Sequence, residues 1–170
     1  CISEGKIDFD MLKQELSKNI IENGKEKYQL TWAGKKESII TGNEITTNTL
    51  IPEMKKSKNF NDTKNIYIEG DNLEVLKILQ ESYLNKIKCI YIDPPYNTGS
   101  AFEHYDDNIE HSIWLNLMKK RIDIFKKLLS DDGAICIQID AVEMAYLKVI
   151  MDEIFGRNNF INIISVKQYN

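Results

Sequence analysis

From residue 66 onward, short apolar runs alternate with segments of helical periodicity, and this alternation constrains the fold more than any other feature of the chain. Ile66-Tyr67-Ile68 forms a strand-like run closed by Gly70-Asp71, and Leu73, Leu76, Leu79 and Tyr83 then recur at helical spacing. Lys88 to Ile92 predicts a second strand ending at Asp93. Trp114, Leu117, Met118, Ile122, Phe125, Leu128 and Leu129 mark one face of a long helix. Ala134 to Ile139 predicts a third strand, and the helix after it opens with Asp140 and Glu143 at capping-box spacing and stops at Gly156. Phe160 to Val166 predicts a fourth strand. Nearly all-apolar strands separated by helices are those of a sheet covered on both faces, so the expected class is α/β with a doubly wound, mainly parallel sheet. Ligands of such sheets bind beyond the carboxyl ends of the strands, where Asp71, Asp93 and Asp140 stand.

Residues 1–65 have a different texture. Ile7, Phe9, Met11, Leu12, Leu16 and Ile20 form an imperfect helical stripe, Tyr28, Leu30 and Trp32 alternate like a short strand, and residues 41–65 are polar and loop-like. The division is an N-terminal arm and linker, 1–65, that wraps the core, and a partial catalytic domain, 66–170. The net charge of −4 argues against nucleic-acid binding by bulk charge, so any DNA contact is local or made elsewhere. No apolar run reaches the length of about 18 residues that a membrane span needs. Cys89 and Cys136 lie inside apolar runs and predict buried, reduced thiols and a cytoplasmic protein. The chain starts at Cys1 and stops at Asn170 without a turn signal, which predicts a piece of a longer protein.

Two of the chain's three prolines are adjacent in Asp93-Pro94-Pro95-Tyr96-Asn97-Thr98-Gly99, directly after an apolar strand. The pair fixes φ twice and removes two backbone donors, which leaves a stiff turn whose carbonyls are acceptors. An acid, two prolines and an aromatic ring supply what an exocyclic amine needs: Asp93 can accept one N–H, the Pro94 carbonyl can accept the other, and Tyr96 can stack on the ring that bears the amine. An isolated Pro-Pro would more often be a plain strand-terminating turn; the flanking acid and aromatic shift the reading to a site.

This stretch resembles the Asp-Pro-Pro-Tyr motif of amino-methyltransferases. Together with Ile68-Glu69-Gly70-Asp71-Asn72-Leu73-Glu74-Val75-Leu76 upstream, it is similar to the adenine-specific Mod subunits of type III restriction-modification systems, which have the permuted, beta-class order of motifs. The likeness extends over Phe102 to Asp107, Trp114-Leu115, Leu129 to Gly133 and Asp152 to Phe160, and back into the arm at Ile7 to Asp10 and Tyr28 to Lys35. The resemblance implies a fold of the S-adenosylmethionine-dependent methyltransferase type and transfer of a methyl group from S-adenosylmethionine to N6 of adenine in double-stranded DNA. Its catalytic residues would be Asp93, Pro94, Pro95 and Tyr96, and its cofactor-binding residues Asp71, Asn72 and Asp93, with no metal. It further implies a homodimer of the complete protein and a restriction subunit as partner. Asp71 also reads as a helix N-cap, and Asp140 as a cap only. The alternatives are methylation of cytosine N4, RNA or protein glutamine, or a non-catalytic module on the same fold.

The sequence departs from the family in two respects, the first being that Ser165 and Val166 precede Lys167 where the family often has an aromatic. The second is that none of its eight glycines is one residue away from another, so the Phe-x-Gly-x-Gly loop for the methionine end of the cofactor is absent from these residues, and the fragment alone is expected to be inactive. The remaining candidates are weaker. His104 and His111 with Glu103, Asp106, Asp107 and Glu110 match no standard metal spacing and read as a surface loop. Gly34-Lys35-Lys36 is not a phosphate loop. Trp32 and Trp114 read as core, and Lys119, Lys120, Arg121, Lys126 and Lys127 as a solvated helix face, with phosphate contact as the alternative.

Overall fold

The computed structural model describes residues 30–98 and 110–167, together with the backbone of 2–3, 6–7, 101–102 and 105–106. Among the described residues four α-helices, α1 (Lys35–Gly42), α2 (Asn72–Tyr83), α3 (His111–Leu128) and α4 (Ala141–Phe155), accompany one parallel strand pair, β3 (Ile87–Ile92) and β6 (Leu129–Ile137). Two-residue antiparallel pairs join β1 (Ile2–Ser3) to β2 (Lys6–Ile7) and β4 (Ala101–Phe102) to β5 (Tyr105–Asp106). The expected helical stripe from Ile7 to Ile20 otherwise lies outside the described residues.

The core is the apolar stripe of α3 against that of α4: Trp114, Leu115, Met118, Ile122 and Phe125 meet Leu147, Ile150 and Ile154. Ile90 and Ile92 of β3, Ile135 and Ile137 of β6, and Leu76 of α2 pack against this cluster. Each buried aliphatic side chain contributes about 1.5–3 kcal/mol, so the α3 and α4 stripes hold the strand pair in place. Register runs Ile90 to Ile135 and Ile92 to Ile137, with an irregularity between Ile87 and Cys89, because β6 carries extra residues before Ala134. Gly133 sits in that bulge. A Cβ there would lie 2.8 Å from the Ile87 carbonyl oxygen and 3.0 Å from that of Ser130, so only glycine admits the approach.

The result is a mixed α/β structure whose parallel pair has helices on one face among the described residues. Three expectations change accordingly. Ile66-Tyr67-Ile68 and Phe160 to Val166 do not form strands: a strand exists only through ladder partners, and β3 and β6 pair with each other and with neither segment. Tyr67 and Ile161 are exposed. Cys89 and Cys136 are exposed rather than buried, because they alternate with Ile90 and Ile135 and so face away from the helices. The α4 capping box is incomplete: Asp140 caps alone, accepting from the Val142 amide at 3.2 Å, and Glu143 does not reach back.

Residues 30–32 do not form a strand, and α1 was not legible in the sequence, since its apolar residues Ile39 and Ile40 are exposed while Ser38 and Gly42 are buried. Residues 30–42 nonetheless lie on the core. Trp32 donates its indole N–H to Asn116 Oδ1 at 2.7 Å, and Lys35 Nζ reaches Glu153 at 2.7 Å. The cationic face of α3 is not simply solvated: Lys119 is 5% exposed and paired with Asp123 at 2.6 Å, Lys127 binds Asn43, and Arg121 Nε donates to Asn72 Oδ1 at 2.8 Å. No helix among the described residues is long and apolar enough to cross a membrane.

Candidate active site

The Asp93–Tyr96 turn leaves the carboxyl end of β3, which is where the parallel pair directs it. The ladder runs one step past the strand, with the Gln138 amide donating to the Ile92 carbonyl at 2.9 Å, and then Pro94 and Pro95 end it because neither can donate. Asp93 is exposed, whereas Pro94, Pro95 and Tyr96 are half-buried. Trp114, fully buried on α3, donates its indole N–H to the Pro95 carbonyl at 2.7 Å. The expectation that Trp114 belongs to the core holds, and the polar edge of its ring additionally fixes the turn.

Tyr96 is held from the uncovered face of the strand pair. The Tyr91 hydroxyl donates to Gln138 Oε1 at 2.6 Å, and Gln138 Nε2 donates to the Tyr96 hydroxyl oxygen. The Gln138 bond favours ionisation of Tyr96, but partial withdrawal from water and the nearby Asp93 carboxylate outweigh it and hold the phenol above its ordinary pKa. The ring is therefore a neutral phenol over the ordinary pH range.

Asp71 and Asn72 begin α2. Asp71 Oδ1 accepts from the Leu73 and Glu74 amides, both at 3.0 Å, which makes it the N-cap of that helix. Asn72 opens onto the same cavity as the turn, an open space of about 750 Å³ walled by Val75, Leu76, Leu117 and Phe125, with Asn72 at one place and Asp93 to Tyr96 at another. This is the size of a small-molecule site. Its lining combines apolar side chains with the Asn72 amide and the Asp93 carboxylate, a set of groups that fits an adenosine. Of the expected site residues, Asn72, Asp93, Pro94, Pro95 and Tyr96 thus converge on one cavity. Asp71 stands next to it as a cap, and Asp140 caps α4.

Sequence reasoning missed a buried polar cluster beside the turn. Glu143, 1% exposed, receives a hydrogen bond from Asn97 Nδ2 at 2.7 Å on Oε1, and the same oxygen lies 3.0 Å from His111 Nδ1. The His111 ring meets Tyr146 edge-on at 4.3 Å between centroids. The signal was present in the sequence. Glu143, Leu147, Ile150 and Ile154 are spaced four, three and four residues apart, so Glu143 occupies a core position of α4, and an acid there needs partners. Of the six residues weighed as a metal cluster, the side chains of His111 and Glu110 are described; among the described residues no group of three or more metal-ligating side chains gathers.

Comparison with known proteins bears on this turn directly. The chain is 48% identical over 117 residues to the probable type III restriction-modification enzyme HindVI Mod subunit of Haemophilus influenzae, an alignment covering 69% of this chain and 16% of that protein. It is 32% identical to the type III restriction-modification enzyme StyLTI Mod subunit of Salmonella typhimurium, across 98% of this chain and 30% of the relative. The type II methyltransferase M.KpnI of Klebsiella pneumoniae is 40% identical over 61% of this chain and 27% of its own length. The chain therefore spans less than a third of these relatives. A DNA methylase family model matches residues 87–170, the stretch that contains β3, the Asp93–Tyr96 turn, α3, β6 and α4. Through these residues the chain belongs to the DNA methylase family.

Proposed function

We propose that this chain is the acceptor-binding part of a DNA adenine-N6 methyltransferase, the modification subunit of a type III restriction-modification system. The observation that carries the reading is the proline turn at the carboxyl end of β3, held by Trp114 and Gln138 and opening on a cavity shared with Asn72. The Mod-subunit relatives support the system, and the family match supports methyl transfer. The complete catalytic domain would be the doubly wound, mainly parallel sheet of the S-adenosylmethionine-dependent type, of which β3 and β6 are the parallel pair described. DNA and a restriction subunit would be its partners, the complete protein would work as a homodimer, and its compartment would be the cytoplasm.

S-adenosylmethionine, when bound, supplies an electrophilic methyl group on a sulfonium; Asn72, Asp71 and Asp93 would hold its adenosine end. The rest of the mechanism lies with the turn. Adenine N6 inside a duplex cannot be approached in line, so the base is everted, which costs a few kcal/mol. Stacking on Tyr96 returns about 1–3 kcal/mol. The N6 lone pair is delocalised into the ring, and acceptance of both N–H groups by the Asp93 carboxylate and the Pro94 carbonyl favours a tetrahedral nitrogen whose lone pair can attack. As the N6–methyl bond forms and the sulfonium–methyl bond breaks, positive charge would grow on N6, to be relieved by loss of one N6 proton to Asp93 or water. Asp93 stabilises that charge more than it stabilises the neutral base, which is what lowers the barrier.

The test is Asp93→Ala in the complete protein. Single-turnover methyl transfer into duplex DNA should fall by on the order of 10²-fold or more, with cofactor affinity changed less; a near-normal rate refutes the assignment. Product analysis separates N6-methyladenine from N4-methylcytosine, methylated RNA or methylated glutamine. The 170-residue chain alone should not methylate DNA, since effective molarity falls steeply when the donor is held at one end only.

A further inference from the structure

We propose that Glu143 is a positioning residue for the Asp93–Tyr96 turn, holding Asn97 and His111 on one buried carboxylate oxygen; the inference rests on the methyltransferase reading above. A carboxylate is costly to bury, and Glu143 stands where a leucine would continue the stripe of Leu147, Ile150 and Ile154 without that cost. Capping does not explain it, because Asp140 serves the start of α4 by itself. Its hydrogen bonds explain it. Oε1 takes the Asn97 amide at 2.7 Å and faces His111 Nδ1 at 3.0 Å, while Oε2 is buried without a partner among the described residues.

The two partners are informative by their positions. Asn97 directly follows Tyr96, so its anchorage fixes the exit of the turn. His111 is the first residue of α3, three residues before Trp114, whose indole holds the Pro95 carbonyl. One oxygen on α4 therefore ties the exit of the turn to the same helix that fixes its second proline. Tyr146, one turn along α4 from Glu143, packs on the His111 ring and limits its rotation. Glu143 makes no contact with substrate in this scheme. It acts through Asn97 on the orientation of Tyr96.

The experiment uses the complete protein with Glu143→Leu, Glu143→Gln and Asn97→Ala, each read by single-turnover methyl transfer per titrated active site and by fluorine NMR of 3-fluorotyrosine at position 96. Glu143→Leu should slow transfer by on the order of 10²-fold, with KM for S-adenosylmethionine moving less than about threefold, and should shift or split the fluorine signal. Glu143→Gln keeps an acceptor oxygen for Asn97 and His111, so it should stay within about tenfold of the native rate and keep the native fluorine signal. A Leu variant at the native rate, or Gln and Leu variants equally slow, would overturn the proposal. Should Glu143→Leu fail to fold, Asn97→Ala decides, since it leaves the interior of α4 intact: slowed transfer with an altered fluorine signal supports the role, and no change in either overturns it. Native protein that transfers no methyl group to DNA refutes the methyltransferase reading, while the fluorine spectra still decide whether Glu143 holds the turn.

Discussion

Replacing Trp114 by phenylalanine separates what the indole does as core from what it does for the turn. The side chain is 0% exposed and donates to the Pro95 carbonyl at 2.7 Å. Phenylalanine keeps the six-membered ring but removes the donor, which leaves a half-buried carbonyl unsatisfied at about 1–3 kcal/mol. It also removes two ring carbons, worth roughly 1–2 kcal/mol at about 0.8 kcal/mol each. The expected loss of folding free energy is therefore about 2–5 kcal/mol, and it should appear as a lower urea midpoint with an unchanged slope. Because the Pro95 carbonyl held by Trp114 directly follows the Pro94–Pro95 peptide unit, which carries the Pro94 carbonyl proposed to accept from N6, methyl transfer by the complete protein should fall further than the folded fraction does. A destabilisation under about 1 kcal/mol would mean that the indole N–H contributes nothing. A rate loss fully explained by unfolding would detach Trp114 from the turn and leave it a core residue only.

Tyr96→Phe removes the Gln138 bond but keeps the ring and leaves the Trp114 and Glu143 anchors in place, so it should retain most activity, whereas Tyr96→Ala should weaken capture of the everted base by about 1–3 kcal/mol; equal fluorescence of 2-aminopurine at the target position in both variants would argue against stacking. Asp71→Asn preserves an acceptor for the Leu73 and Glu74 amides, while Asp71→Ala loses the cap at about 0.5–2 kcal/mol. Denaturation should separate the two, and calorimetric titration with S-adenosylmethionine should show both weakened; native affinity in both would remove Asp71 from the cofactor site. The Asp132 carboxyl is held below its ordinary pKa, chiefly by Lys88 and then by Ser130. Its contribution to stability is thus present above about pH 4 and lost as the pH falls through the depressed folded value. Lys88→Met should flatten the acid limb of the melting temperature against pH, and an unchanged limb would show that the pair is inert.

The sequence carries β3, α2, α3 and α4 plainly because each has a stripe or run that it alone can bury. Residues 66–68 and 160–166 have equally apolar composition, yet strand identity is a property of a pair, and neither segment meets β3 or β6. The same limit explains Cys89 and Cys136. An all-apolar run says that a strand could be covered on both faces, while coverage depends on elements elsewhere in the fold. α1 escaped notice for the opposite reason: Gly42 lies against Lys120 of α3 and Ser38 is buried, both small residues that no hydrophobic periodicity reveals. At the site, the turn was legible because proline acts locally. Glu143 was misread because an acid three residues after Asp140 has two local meanings, and only the long-range partners Asn97 and His111 choose between them.

Those partners also show why two prolines do not by themselves make an acceptor site. Proline sets φ near −65° but leaves ψ and the peptide orientation open, and the acceptor geometry depends on where a carbonyl oxygen points. Three groups on three elements supply the missing constraints: Trp114 on α3 fixes the Pro95 carbonyl, Gln138 beyond β6 fixes the Tyr96 hydroxyl, and Glu143 on α4 fixes Asn97. Each is a hydrogen bond from outside the turn, so under the proposed function the rigidity that would favour a tetrahedral N6 is tertiary. A four-residue motif transplanted without these anchors would keep its φ angles and lose its aim, and an effective molarity that depends on near-attack geometry would fall with it.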